Sequence, residues 1–195
     1  MNYLAHAFLA DETDEYLIGS FIGDFVKGTI TDRYGSEITR GIILHRKVDV
    51  FADSHVLSCA SRDIFTGPLR RYAGIILDIC YDHFLSRHWS DYADTVLSDF
   101  IARIYKLLQE YRDLLPERLK AVLPRILEQN WLERYLTLKG VEITLERISK
   151  RIKREVRLSK SMPDIQANYE ILGKNFRAFF PDLIAFARTW TDKSN

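Results

Sequence analysis

Apolar residues recur along this chain at intervals of three and four, the spacing of helices that bury one face. The expected helices cover residues 3–10, 15–26, 36–52, 55–65 and 69–88 in the first half. In the second half they cover 95–115, 117–128, 131–138, 141–156, 164–179 and, after Pro181, 182–190. Leu17, Ile18, Phe21, Ile22 and Phe25 form the apolar side of the second helix. Ser36 and His55 stand where caps of the third and fourth belong. Gly28, the Gly67-Pro68 pair and the stretch 160–163 punctuate the pattern. Alternation of period two between hairpin turns is missing. The pattern therefore predicts an all-α fold, a single-domain helical bundle over residues 1–195.

Some polar residues interrupt this pattern where it is most apolar. Asp78 and Asp82 stand four apart on the longest expected helix, among Ile75, Ile76, Leu77, Ile79, Phe84 and Leu85. That spacing puts both carboxylates on one face, and burying an unpaired charge is costly. His45, Asp49 and Asp53 repeat the step of four on the third helix. A divalent cation held between the two helices would remove the cost and create a site suited to hydrolysis. Blander readings compete: Arg70, Arg71 or Arg87 neutralises Asp78 and Asp82, and His45–Asp53 is a solvated acidic face. His83 adjoins Asp82 and is either a further ligand or a group behind the ligands. Asp24 follows Gly23, which allows close approach of a backbone or ligand. His6, on a short apolar helix, reads as a core histidine.

Charge is uneven although the net charge is only +1. The first hundred residues carry 9 Lys+Arg against 15 Asp+Glu and hold all five histidines. The remainder is basic, most of all in residues 146–160, which read as a basic amphipathic helix. Such a face suits solvent, RNA or an acidic protein; Ile148, Ile152 and Val156 suffice only for packing, not for membrane docking. Cys59 and Cys80 form no Cys-x-x-Cys motif, so a reducing cytoplasm is expected, with no disulfide scaffold. No basic leader precedes the acidic stretch at residues 11–15, and no run is long enough to span a membrane. Nucleotide-binding glycine loops and a Gly-x-Ser-x-Gly elbow are absent.

Five segments together resemble the acyl carrier protein phosphodiesterase family. They are Met1-Asn2-Tyr3-Leu4-Ala5-His6, Gly23-Asp24-Phe25-Val26-Lys27-Gly28, His45-Arg46-Lys47-Val48-Asp49 with Asp53, residues 77–89, and Gln129-Asn130-Trp131-Leu132 with Arg134-Tyr135. The resemblance implies a cytoplasmic, manganese-dependent hydrolase. Its reaction would release 4′-phosphopantetheine from a serine of holo-acyl carrier protein. It also implies a distorted relative of the HD-domain phosphohydrolases, although this chain offers Asp82-His83, the reverse of the His-Asp doublet. Carboxylates with imidazole and no thiolate suit Mn2+ or Mg2+ better than structural zinc. Residues and resemblance together nominate Asp24, His45, Asp49, Asp78 and Asp82 as metal ligands, and Asp82 with His83 as catalytic groups. Arg46 and Lys47 are expected to meet phosphate, while Arg147, Lys150, Arg151 and Arg154 meet the acidic carrier protein. Neither a nucleic-acid partner nor membrane insertion is expected, and the oligomeric state is open. Two alternatives stand beside this reading: an HD-type phosphohydrolase acting on a nucleotide, and a non-catalytic helical adaptor with salt-bridged acidic pairs.

Overall fold

Helices form where the apolar spacing puts them in the computed structural model, which describes residues 1–152 and 156–192, with side chains through Trp190. In chain order they are α1 (Tyr3–Leu9), α2 (Asp14–Ile22), α3 (Ser36–Ser54), α4 (Val56–Arg62) and α5 (Ala73–Arg87). There follow α6 (Leu97–Glu110), α7 (Glu117–Glu128), α8 (Leu138–Ser149), α9 (Met162–Ala167) and α10 (Tyr169–Asp192). No strand occurs among the described residues, and the all-α expectation holds. No helix among them is long and apolar enough to cross a membrane.

Caps set several boundaries. The Thr13 hydroxyl accepts the Tyr16 amide at the start of α2, and His55 Nδ1 accepts the Leu57 amide at the start of α4. Ser36 is instead the first helical residue of α3, after Gly35. Close packing fixes the pair that carries the site. A Cβ on Gly19 would overlap the Ile38 carbonyl, and one on Gly41 the Tyr16 carbonyl, so α2 and α3 cross nearly backbone to backbone. Helix α5 runs through the middle of the molecule against α1, α4, α8 and α10. Residues 79–86 are all buried there, which explains why its sequence lacks a polar stripe.

Three expectations need correction. Pro181 does not break the last helix: α10 runs through it. Phe176, Phe179, Phe180, Leu183 and Ala187 form one buried stripe on both sides of the proline. Burying each large apolar side chain is worth about 1.5–3 kcal/mol, so together they outweigh the roughly 3 kcal/mol cost of an interior proline. The helix expected over 131–138 does not form: a 3-10 turn at Glu133–Leu136 precedes Thr137, which caps α8. The basic helix expected over 141–156 stops at Ser149. There the Ser149 hydroxyl accepts the Leu158 amide, and the chain folds back. Arg147, Lys150 and Arg151 therefore share no extended stripe, and Arg154 lies outside the described residues.

Candidate active site

Helices α1 and α3 and the turn after α2 converge on one cluster. His45 Nδ1 donates to the Ser20 carbonyl at 2.8 Å, which turns its Nε2 toward two carboxylates. That nitrogen lies 3.3 Å from Asp49 Oδ2 and 3.6 Å from Asp24 Oδ1. His6 Nε2 lies 3.1 Å from Asp49 Oδ1, so Asp49 joins both imidazoles. The two rings stack with centroids 3.6 Å apart. Asp24 is carried on the 3-10 turn Gly23–Phe25. Arg46 secures the chain beyond that turn by donating to the carbonyls of Val26 and Gly28. Gly28 sits at φ +71°, a conformation that favours glycine.

The electrostatics follow from burial and proximity. Burial, then the charge of His45, lowers the His6 pKa to about 4 against the pull of Asp49. Burial also opposes protonation of His45, but bonding to Asp24 and Asp49 outweighs it and raises the pKa to about 9. Burial would raise the Asp49 pKa, yet His45, His6 and the amino terminus together hold it well below the usual carboxylate range. The α-ammonium of Met1 is buried between Asp49 Oδ1 and Asp78 Oδ1, 3.1 Å from each. Desolvation works against that charge, but the two carboxylates raise its pKa to about 11. Asp24, Asp49, Asp53 and Asp78 line one cavity of about 360 Å³ together with Trp131, Thr144, Arg147 and Arg151.

The donor chemistry fits a divalent cation. One ligand atom each from His6, His45 and Asp49 falls within 4.8 Å of the others, and no thiolate is among them. His6 Nδ1 is buried with no hydrogen-bond partner. Two stacked imidazoles cannot both hold a proton cheaply, whereas neutral imidazoles are ready ligands.

The sequence matches the acyl carrier protein phosphodiesterase family over residues 1–183. A protein of that name from Yersinia enterocolitica is 36% identical over 189 residues, spanning 96% of this chain and 98% of the relative. Those from Photorhabdus laumondii and Pectobacterium atrosepticum are 36% and 35% identical. The alignments cover 93% and 97% of this chain, and 92% and 98% of the two relatives. The chain belongs to the acyl carrier protein phosphodiesterase family. It is thus a member of a family of hydrolases. No solved structure matches it.

The segments that resemble the family contribute to the cavity from separate elements, but not every nominated residue reaches it. Asp24, His45 and Asp49 meet as described. Asp78 lines the same cavity with the Met1 ammonium as its partner, in place of Arg70, Arg71 or Arg87. Asp82 does not join them. It is completely buried, and its oxygens accept the Leu4 and Ala5 amides at 2.9 and 3.1 Å, capping α1 from another helix. Burial pushes its pKa up to about 7 against those two donors. His83 also points elsewhere, bridging the Tyr135 carbonyl and the Tyr169 hydroxyl. Arg46 spends its guanidinium on the loop carbonyls, and the Lys47 ammonium lies 4.7 Å from the Trp190 ring centre.

His6 is the site residue that sequence periodicity hides. On α1 it is an isolated histidine among Leu4, Ala5 and Ala7, and only the crossing of α1 and α3 sets it against Asp49. Gly23 makes room for this arrangement, since a Cβ there would overlap the His45 ring. Gly23→Ala should therefore displace His45 and cost about 1–3 kcal/mol in thermal or denaturant unfolding. An alanine variant with native stability and native metal affinity would show that the ring does not depend on that space.

Proposed function

We propose that this chain hydrolyses the phosphodiester joining 4′-phosphopantetheine to a serine of holo-acyl carrier protein, with a divalent cation such as Mn2+ held by His6, His45 and Asp49 and with Asp24 beside them. Water adds to phosphorus, the bond to the serine oxygen breaks, and apo-protein and phosphopantetheine are the products. The observation that carries this reading is the imidazole–carboxylate cluster, whose Asp49, with Asp24 beside it, lines a cavity that also holds Arg147 and Arg151. A bound cation supplies charge neutralisation for the phosphate oxygens and lowers the pKa of water.

The chain's own residues prepare the site. The Ser20 carbonyl fixes the His45 tautomer and ring direction. Asp49 orients both imidazoles. Asp24 adds a second carboxylate on the solvent side, and its pKa is held down by His45 although burial would raise it. Lys150 and Arg151 are exposed just beyond the end of α8, where an acidic carrier protein would be attracted.

The test is direct. Chelation should abolish release of phosphopantetheine, followed by mass spectrometry of the carrier protein, and Mn2+ should restore it. The pH dependence adds a second check. In the metal-free protein His45 keeps its proton up to about pH 9, and a cation must displace that proton. Mn2+ affinity should thus rise with pH by about tenfold per unit between pH 7 and 9. The stability of the metal-free protein should move the other way. With a pKa raised from 6.5, His45 contributes fully below pH 6.5, and the contribution is lost as pH rises through 9. Full activity after exhaustive chelation would remove the cation from this reading, and Mn2+ binding indifferent to pH would remove His45 from its ligands.

A further inference from the structure

The cavity that the carboxylates line also holds a guanidinium with no carboxylate partner among the described residues. Arg147 lies flat on Trp131, its Cζ 3.3 Å from the ring centre, and Arg151 approaches the same ring at 5.8 Å. Both arginines, Trp131 and Thr144 line the cavity that contains Asp24, Asp49 and Asp78. Arg147 Nε and Nη1 are buried without an acceptor, and so is the Thr144 hydroxyl. Arg46, Arg62, Arg70 and Arg103 each donate to a carbonyl or carboxylate, whereas Arg147 has no carboxylate partner among the described residues. Buried charged donors left unpaired are unfavourable and call for an explanation, and an acceptor that arrives from outside is one.

Stacking adds direction. The indole covers one face of the guanidinium and fixes the plane of its N–H donors, of which Nε and Nη1 are buried beside the cavity. A planar fork of N–H donors matches two oxygens of a phosphate group. Arg147 and Arg151 attract such an anion on their side of the cavity, while the carboxylates attract a cation.

We propose that Arg147, held on Trp131, is the residue that binds the substrate's phosphodiester anion, with Arg151 and the Thr144 hydroxyl beside it. This deepens the reading given above and rests on it for the identity of the substrate. It also moves Arg147 from an outer face that docks a carrier protein to the inside of the reaction cavity. Arg147 then discriminates for a phosphate group, independently of the protein to which the phosphate is attached.

The test separates this role from the metal. 4′-Phosphopantetheine is titrated calorimetrically into the full-length protein in the presence of chelator, and Mn2+ binding is measured on the same preparations. Arg147→Gln should weaken phosphopantetheine binding by at least about tenfold, as expected for loss of a charge-assisted hydrogen bond. Mn2+ affinity should be unchanged. Arg147→Lys, which keeps the charge on the indole but loses the fork, should also bind more weakly. It serves as the measurement if the glutamine variant fails to fold. Native binding of phosphopantetheine by either folded variant would overturn the proposal, as would absence of binding by the native protein. Loss of phosphopantetheine binding in a protein that takes up no metal would leave the arginine's role standing and remove only the metal reading.

Discussion

An Asp49→Asn variant should lose Mn2+ binding and hydrolysis together, each by at least about a hundredfold, while its helical circular dichroism persists. Asp49 is the one carboxylate in contact with His6, His45 and the Met1 ammonium. Outer partners of metal ligands already cost about 10–100-fold when removed, and a ligand that also orients two others should cost at least the upper value. The amide keeps the shape but removes the negative charge that raises the His45 pKa. Elemental analysis and carrier-protein mass spectrometry check the outcome. An asparagine variant that binds Mn2+ and turns over within a few-fold of the native enzyme would exclude Asp49 from the centre.

Asp82→Ala should show the opposite pattern: large loss of stability, with metal affinity retained by the folded fraction. Removing the carboxylate strands the Leu4 and Ala5 amides in a dry interior. The expected cost is about 3 kcal/mol or more, since a buried charged acceptor and two donors are separated. For a domain of this size that corresponds to a fall in Tm of roughly 6–12 °C. The fraying should begin at α1, which carries His6, so hydrogen exchange at Leu4 and Ala5 should rise first. If Asp82→Ala instead melts like the native protein but fails to bind Mn2+, Asp82 is a ligand and the cap is incidental.

Comparing these two residues explains what a sequence hides. Asp49 and Asp82 look alike on paper: each stands four residues after another polar candidate, His45 or Asp78, on an expected helix. Periodicity reports which face of its own helix a residue occupies. It says nothing about what the neighbouring element presents to that face. The α3 carboxylate meets imidazoles, while the α5 carboxylate meets the open amides of α1. The same blindness concealed His6, whose partner is 43 positions away, and placed Arg147 on an outer stripe of a helix that in fact ends at Ser149.

The sequence by itself determined the all-α character, most helix positions, and, through the five segments that resemble the family, the class of hydrolase. These are carried by local spacing, capping groups and residue identity, which act within a few residues along the chain. The tertiary structure alone decided which polar groups meet. The glycine-mediated crossing of α2 and α3 and the passage of α5 through the centre set the directions of His6, Asp82 and Arg147. Pro181 shows the same priority, because a buried stripe shared with other helices overrode a local helix breaker. Burial and charge pairing are properties of surfaces brought together from distant parts of the chain, so the chemistry of the site became defined only when the helices packed.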